Sequence, residues 1–367
     1  MTQQGEINAK KSNVEMTAKI NGKKSNIDMN AKINAKNLNS EFKWTGRQIG
    51  KTPLDPVQAG WIFLFSYAAG VMLPDFASWQ DGKGNGVLVL FLFYVLFGQV
   101  GLNLLPGVGW SKWRGLSLRR TLRLNPVPWS VLGLGIAVYV VSQIPLLFVH
   151  QLTELILSVV GDTYKVSEYP IADNIGALLL LILSIGIIAP ICEEMLFRGV
   201  LLTGYERRGT IFAAVMSSAL FALFHDNPYR LLELFIAAFV SSIIVLYARS
   251  IWPGIAVHLA TNIAYVVGSY VRGGDLVEGA SSGGGRIDVW LLAATGAASV
   301  LAVYVCLRLL KLMKRRMDAS GISSSSNKLV QRGEEDESVI NERENRSWGW
   351  LIPIGLAVVV FVAKAMV

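Results

Sequence analysis

The sequence predicts an all-α polytopic membrane protein: a bundle of about eight transmembrane helices around a polar intramembrane cavity, plus a ninth, shorter C-terminal candidate span. Three observations carry this. Of 367 residues, 52% are hydrophobic and 16% charged, against a charged share of about 25% in soluble globular proteins, and mean hydropathy is +0.45. The apolar residues come in long unbroken runs, which excludes the alternating strands of a membrane barrel. Finally, Ile188–Gly199 places Glu193, Glu194 and Arg198 directly after a run long enough to cross a bilayer. A charge at that depth costs a few kcal/mol or more, so intramembrane ionisable residues mark function or a specific partner.

The net charge of +8 sits mostly in tails and loops flanking apolar runs. That placement reads as topology signal and anionic-lipid contact, and no nucleic-acid partner is expected. Cys192 and Cys306 both fall inside expected spans and give no disulfide framework.

Residues 1–56 form a basic leader with a repeat of about thirteen residues, seen as Ile7-Asn8-Ala9-Lys10, Ile20-Asn21-Gly22-Lys23 and Ile33-Asn34-Ala35-Lys36. Rich in Lys, Asn and Ser, it buries too little apolar area to offset ordering, so disorder is expected. It lacks the apolar region of a cleavable signal peptide, which leaves insertion to the first span. The bundle occupies 57–311. Its spans are expected at Val57–Leu73, Val87–Leu105, Trp129–Val149, Ile175–Leu202, Ile211–Phe224, Leu231–Tyr247, Ile251–Val271 and Val289–Leu310. Trp110–Leu124, with leucines set among arginines, reads as a short interfacial helix. The polar stretch 312–347, first Ser-rich and then of mixed charge, reads as a linker. Within 348–367, Trp350–Val362 is either a tail anchor or a helix packed on the bundle.

Charge asymmetry orients the stack. Lys43, Arg47 and Lys51 precede the first span, and basic residues also fill the loops after the second, fourth, sixth and eighth. The alternate loops contain Asp75, Asp81, Glu154, Asp162 and Glu168. Eight spans with a cytoplasmic N-terminus give this pattern, and a multi-pass plasma-membrane protein in the lipid bilayer is the expectation.

Three pairs inside the spans, each with a polar or ionisable member, share a four-residue spacing, which puts both members on one helix face. They are Glu194 and Arg198, Phe221 and His225, and His258 and Asn262. Glu193 is turned about 100° from Glu194 and is left to face something else. Counted from the connecting turns, Glu193 lies about 20 Å deep, His225 about 25 Å and His258 about 10 Å. All three fit one layer if the fourth helix projects beyond the membrane. Chemically the set offers a carboxylate and an imidazole to activate water, with a second imidazole and a carboxamide to stabilise an oxyanion. No G-x-S-x-G elbow is present, and Cys192 has a carboxylate neighbour, so the nucleophile would be water. Taken singly, each pair also serves as an ion pair or interhelical glue. His150 and Glu233, at the outer ends of the third and sixth spans, read as interfacial.

These residues resemble the CAAX-protease and bacteriocin-processing family of intramembrane proteases. Glu193-Glu194-Met195-Leu196-Phe197-Arg198-Gly199 is similar to its E-E-x-x-x-R motif, Phe221–His225 to F-x-x-x-H and His258–Asn262 to H-x-x-x-N. The resemblance covers a catalytic core at about 129–271. It implies an eight-helix core whose cavity opens toward the cytoplasm. Glu193 and His225 would activate the water, His258 and Asn262 would stabilise the oxyanion, and Glu194, Arg198 and Phe221 would shape the site. The implied partner is a membrane-associated or lipidated peptide or protein, and the motif context looks bacterial. No cofactor is favoured. Zinc on Glu193, His225 and His258 is the alternative the residue types leave open, although no H-E-x-x-H is present. The rival from another class is a non-proteolytic scaffold or immunity protein of the same fold. A small transporter is disfavoured, since the spans carry no inverted repeat.

Overall fold

The computed structural model describes residues 54–73, 85–160, 172–272, 289–320 and 348–365. The repeat leader up to residue 53, Asp75, Asp81, Asp162 and Glu168, and residues 321–347 of the expected linker lie outside the described residues; the first part of that linker, 312–319, is instead the end of a helix, Val289–Ala319. Among the described residues every regular element is a helix.

Helix α1 is Pro56–Val71, started by Asp55, whose side chain accepts from Gln58 N, and by proline in the first turn. Helix α2 comprises Asn85–Val95, a π-helical section Leu96–Leu104 and Leu105–Trp113. The short α3 is Leu118–Thr121 and α4 is Trp129–Val160. Helix α5 is the continuous rod Ile175–Arg208, with π-helical sections at Ile182–Ile188 and Met195–Leu201. Then come α6 (Thr210–Phe224), α7 (Leu231–Ala248), α8 (Trp252–Val271), α9 (Val289–Ala319) and α10 (Leu351–Ala365).

All eight expected apolar segments are helical, but six are long and apolar enough to cross a membrane. At 16 and 15 residues, α1 and α6 rise only about 22–24 Å, short of a hydrocarbon core of about 30 Å. The expected interfacial helix Trp110–Leu124 is not one element. Its first residues finish α2, Gly115 then turns the chain at φ 67°, and α3 follows. Its leucines cover protein instead of lipid: Leu122 is buried, and Leu116, Leu118 and Leu124 pack against the main core.

Three apolar clusters hold the bundle. The largest joins α1, α5 and α6 through Phe63, Tyr67, Phe197, Leu201 and Phe221. A second joins α2, α5 and α8 through Phe91, Leu181 and Val266. The third joins α4, α7 and α9 through Val138, Ile244 and Met313. Helices α4 and α9 lie antiparallel: Thr295 bonds Gln151 near one end, and Cys306 bonds the Val138 carbonyl farther along.

The segment after α2 and the C-terminal ends of α5, α7 and α9 meet at one end. Arg123 pairs with Glu206 at 2.5 Å, Ile251 N donates to Arg123 O, Asn125 Nδ2 donates to Arg249 O, and Arg249 pairs with Asp318 at 3.3 Å. Their convergence supports the alternation read from charge. At the end of α4 and the start of α7, His150 Nδ1 contacts Glu233 at 2.8 Å and Nε2 lies 3.5 Å from Glu154.

The π sections follow one rule. A widened turn weakens the helix's own ladder, and no water is available in lipid to repair it. Each section here has a carbonyl that accepts from a neighbouring helix: Leu102 from Ser66 Oγ at 2.7 Å, Ile185 from Asn262 Nδ2 at 3.1 Å, and Phe197 from Ser217 Oγ at 2.7 Å. The sections are thereby docked to α1, α8 and α6.

Candidate active site

The site is built where α5 meets α8. Two glycines permit the approach. A Cβ on Gly186 would lie 2.9 Å from Ile263 Cγ1, and one on Gly254 would lie 2.7 Å from Glu194 Oε2. Against that second glycine Glu194 is completely buried, with Arg198 Nη1 2.9 Å from its Oε1. The pair read from the four-residue spacing is therefore present. Sequence did not reveal the third member: His258 Nδ1 approaches the same Oε1 at 3.0 Å. A carboxylate paired with arginine can only accept, so His258 Nδ1–H donates to it.

Glu193 points elsewhere. Its Oε1 accepts from Gln99 Nε2 of α2 at 3.0 Å, and its Oε2 stands 3.7 Å from His258 Nε2. That distance is too long for a direct hydrogen bond, and a water beside the two atoms can contact both. The carboxylate is 7% exposed, against 0% for its neighbour.

Phe221 connects the remaining parts. Its ring carries the Arg198 guanidinium 4.5 Å from its centroid and touches the His225 ring at 4.5 Å and the His258 ring at 5.9 Å. Its carbonyl accepts from His225 Nδ1 at 2.8 Å. A carbonyl has no proton to give, so His225 holds Nδ1–H, and the neutral imidazole presents a bare Nε2. Asn262 commits one of its two amide hydrogens to Ile185 O, which leaves the other available.

The structure thus links Glu193, Glu194, Arg198, Phe221, His225 and His258 through successive contacts, while Asn262, one turn along α8 from His258, bonds α5 through Ile185 O. Sequence reasoning missed Gln99 and its partner Asn103, which is 3% exposed and donates from Nδ2 to Gln99 Oε1 at 2.9 Å. Two carboxamides in an apolar run carry no spacing signal linking them to residues about ninety positions later. It also missed Asp226, which follows His225 at φ 50° and bonds both the Tyr67 hydroxyl and Lys364 Nζ. Cys192 is buried and free. Among the described residues no three His, Cys, Asp or Glu side chains converge to hold a metal ion.

Fold and site together define a multi-pass helical membrane protein with an enclosed cluster of carboxylates and imidazoles. Residues 175–264, from the start of α5 to the middle of α8, match the model of the type II CAAX prenyl endopeptidase Rce1-like family. The resemblance carried by the three motifs therefore holds over the segment that contains all of them. A Bacillus subtilis (strain 168) protein described as "Putative membrane peptidase YdiL" is 32% identical over 98 residues, covering 26% of this chain and 40% of that protein. The chain thus aligns with about two fifths of the length of this curated relative. No solved structure matches.

Proposed function

We propose that this protein is an intramembrane endopeptidase that hydrolyses membrane-associated peptides or lipidated peptides with water activated by Glu193 and His225. One observation carries the reading: two carboxylates adjacent in sequence are given opposite surroundings. Glu194 is sealed by Arg198 and His258. Glu193 keeps one oxygen, Oε2, turned to the His258 Nε2 at 3.7 Å, where one water can contact both. A purely structural pair of glutamates has no use for that asymmetry.

In the proposed reaction Glu193 accepts a proton from the water, whose position the bare Nε2 of His225 helps to fix. The hydroxide oxygen adds to the scissile carbonyl carbon. The developing oxyanion is met by the second Asn262 amide hydrogen and by His258 Nε2. With Nδ1–H committed to Glu194, His258 donates from Nε2 only when it carries a second proton, and the Glu194 carboxylate is the counter-ion for that charge. Collapse breaks the C–N bond, and the proton held by Glu193 passes to the leaving amine. The family matched over 175–264 and the putative peptidase similar to this chain support this reaction class. The basic loops gathered at one end support a plasma-membrane protein with that face in the cytoplasm.

Comparative peptidomics of membrane and medium from cells with wild type or Glu193→Gln tests the reading. A set of peptides released only by wild type is expected, and identical profiles would overturn it. The purified protein with one of those peptides then decides the metal question. Activity is expected to survive chelation, and loss restored by zinc would replace the metal-free mechanism.

A further inference from the structure

Helix α2 lies outside the matched segment, yet it supplies a hydrogen bond to the residue on which the chemistry depends. We infer that Gln99, locked by Asn103, is a positioning residue that holds Glu193 with Oε1 occupied and Oε2 turned to the reacting water. This rests on the peptidase reading above.

The argument begins with the carboxamide's own ambiguity. Gln99 could present either its NH₂ or its oxygen to Glu193, and two acceptors face to face would repel. The carboxylate removes the choice. It only accepts, so Gln99 must offer Nε2 to Glu193, which it does at 3.0 Å, and Gln99 Oε1 then accepts from Asn103 Nδ2 at 2.9 Å. Asn103 is itself buried at 3% exposure, so the second bond holds the Gln99 amide in place away from water.

The backbone beneath supports the same reading. Gln99 and Asn103 both lie in the π-helical section Leu96–Leu104, a geometry that concentrates at functional sites. That section is tied to α1 through Ser66 Oγ and the Leu102 carbonyl. The result for Glu193 is a division between its oxygens. Oε1 is taken by an amide, and Oε2 alone faces His258 Nε2 at 3.7 Å. A carboxylate free to rotate would present either oxygen, at varying distance from the water. One anchored through Oε1 presents the same acceptor every time, and small losses of alignment are costly in rate.

Interhelical glue would place the same hydrogen bonds without affecting the reactivity of Glu193, so the test reads that reactivity directly. The purified full-length protein in lipid nanodiscs is treated with dicyclohexylcarbodiimide, an apolar carboxyl-directed reagent, and adducts at Glu193 are counted by mass spectrometry. Gln99→Leu is expected to raise the labelling rate of Glu193 about fivefold, the worth of one lost hydrogen bond. Asn103→Ala should give a smaller rise, since Gln99 remains but loses its lock. On a peptide that wild type cleaves and Glu193→Gln does not, Gln99→Leu should lower kcat about tenfold with KM within about twofold. Gln99→His, which keeps a ring N–H donor, should recover part of kcat. Unchanged labelling of Glu193 in both Gln99→Leu and Asn103→Ala overturns the inference, as does an unchanged kcat. If labelling rises but wild type cleaves no peptide, the peptidase reading fails while the hold of Gln99 on Glu193 stands.

Discussion

Two helix seams in this protein use the same device for different ends. Where α5 meets α8, Gly254 lacks a Cβ so that Glu194 Oε2 can occupy the space, 2.7 Å from where that Cβ would be. Where α1 meets α10, Gly60 lacks a Cβ so that the ring of Pro353 can, again at 2.7 Å. The first seam brings charges together: Glu194, Arg198 and His258 meet within 3.0 Å. The second brings apolar surface together, with Trp350 edge-on to Tyr205 and Phe212 and Ala357 fully buried. Close approach in lipid is thus a general resource, and the side chains placed there decide whether it becomes a site or an anchor.

The sharpest separation of the two seams comes from Glu193→Gln. This substitution keeps size and the ability to accept from Gln99, but it removes the proton acceptor. Activity should fall by about a thousandfold, within the range for loss of a general base, while the unfolding temperature in nanodiscs stays near wild type. A variant that loses activity only in proportion to lost folded protein would make Glu193 a structural residue of the seam.

Arg198→Met acts the other way, on the frame. It leaves Glu194 buried without its cation, and breaking one side of a buried pair costs about 3–5 kcal/mol. The guanidinium also covers the Phe221 ring at 4.5 Å, so His225 loses its backing. Denaturant unfolding of the purified protein should show the full loss. A double Glu194→Gln, Arg198→Met variant should recover part of it, because no uncompensated charge remains. If the single variant is as stable as wild type, the pair is not what makes Glu194 tolerable.

Gly254→Ala should cost less than Arg198→Met. The new methyl would meet Glu194 Oε2 at 2.7 Å and Val245 Cγ2 at 2.9 Å, and crowding of this kind typically costs about 1–3 kcal/mol. Because the displaced atom belongs to the carboxylate that holds His258, kcat should fall further than stability alone accounts for. A parallel loss of both in Gly254→Ala and Gly60→Ala would erase the distinction between the seams.

The positions legible in the sequence were those where chemistry and spacing coincide. Glu194 with Arg198 obeys the four-residue rule, and three such pairs in a chain with three histidines cannot be dispersed without burying each charge alone. Among the described residues the apolar runs located every long helix, though not the short α3, because nothing else satisfies the backbone in lipid. What stayed hidden lacked a local signature. The contact of His258 with Glu194 joins residues 64 positions apart, and one-dimensional spacing does not reach that far. Gln99 sits in an apolar run, where a single amide reads as tolerated. The π sections are concealed for the same reason, because the donors that stabilise them, Ser66, Asn262 and Ser217, belong to other helices. The bounds of α1 and α6 were read to within two residues, but reading them as full spans passed over their length, which falls short of a hydrocarbon core.

The smallest effect belongs to the end of α10, where the two seams come nearest in chemistry. Lys364 Nζ lies 2.7 Å from Asp226 Oδ2, and Asp226 directly follows His225 in the chain. A link from the C-terminal helix to the His225 imidazole is tempting, but the magnitudes argue against a large one. The Lys364 side chain is 51% exposed, and ion pairs at that exposure contribute about 0–1 kcal/mol. Tyr67 also donates to Asp226 from the buried side of α1, so the turn after His225 keeps a partner when lysine is removed. Lys364→Met should therefore change kcat by less than about twofold and stability by under about 1 kcal/mol. Trp350→Ala, at the other end of the same helix, should cost about 3 kcal/mol through lost aromatic packing. A larger effect on kcat from Lys364→Met than from Trp350→Ala would mean that α10 reaches the chemistry through Asp226, and that the apolar seam exists to deliver a charge.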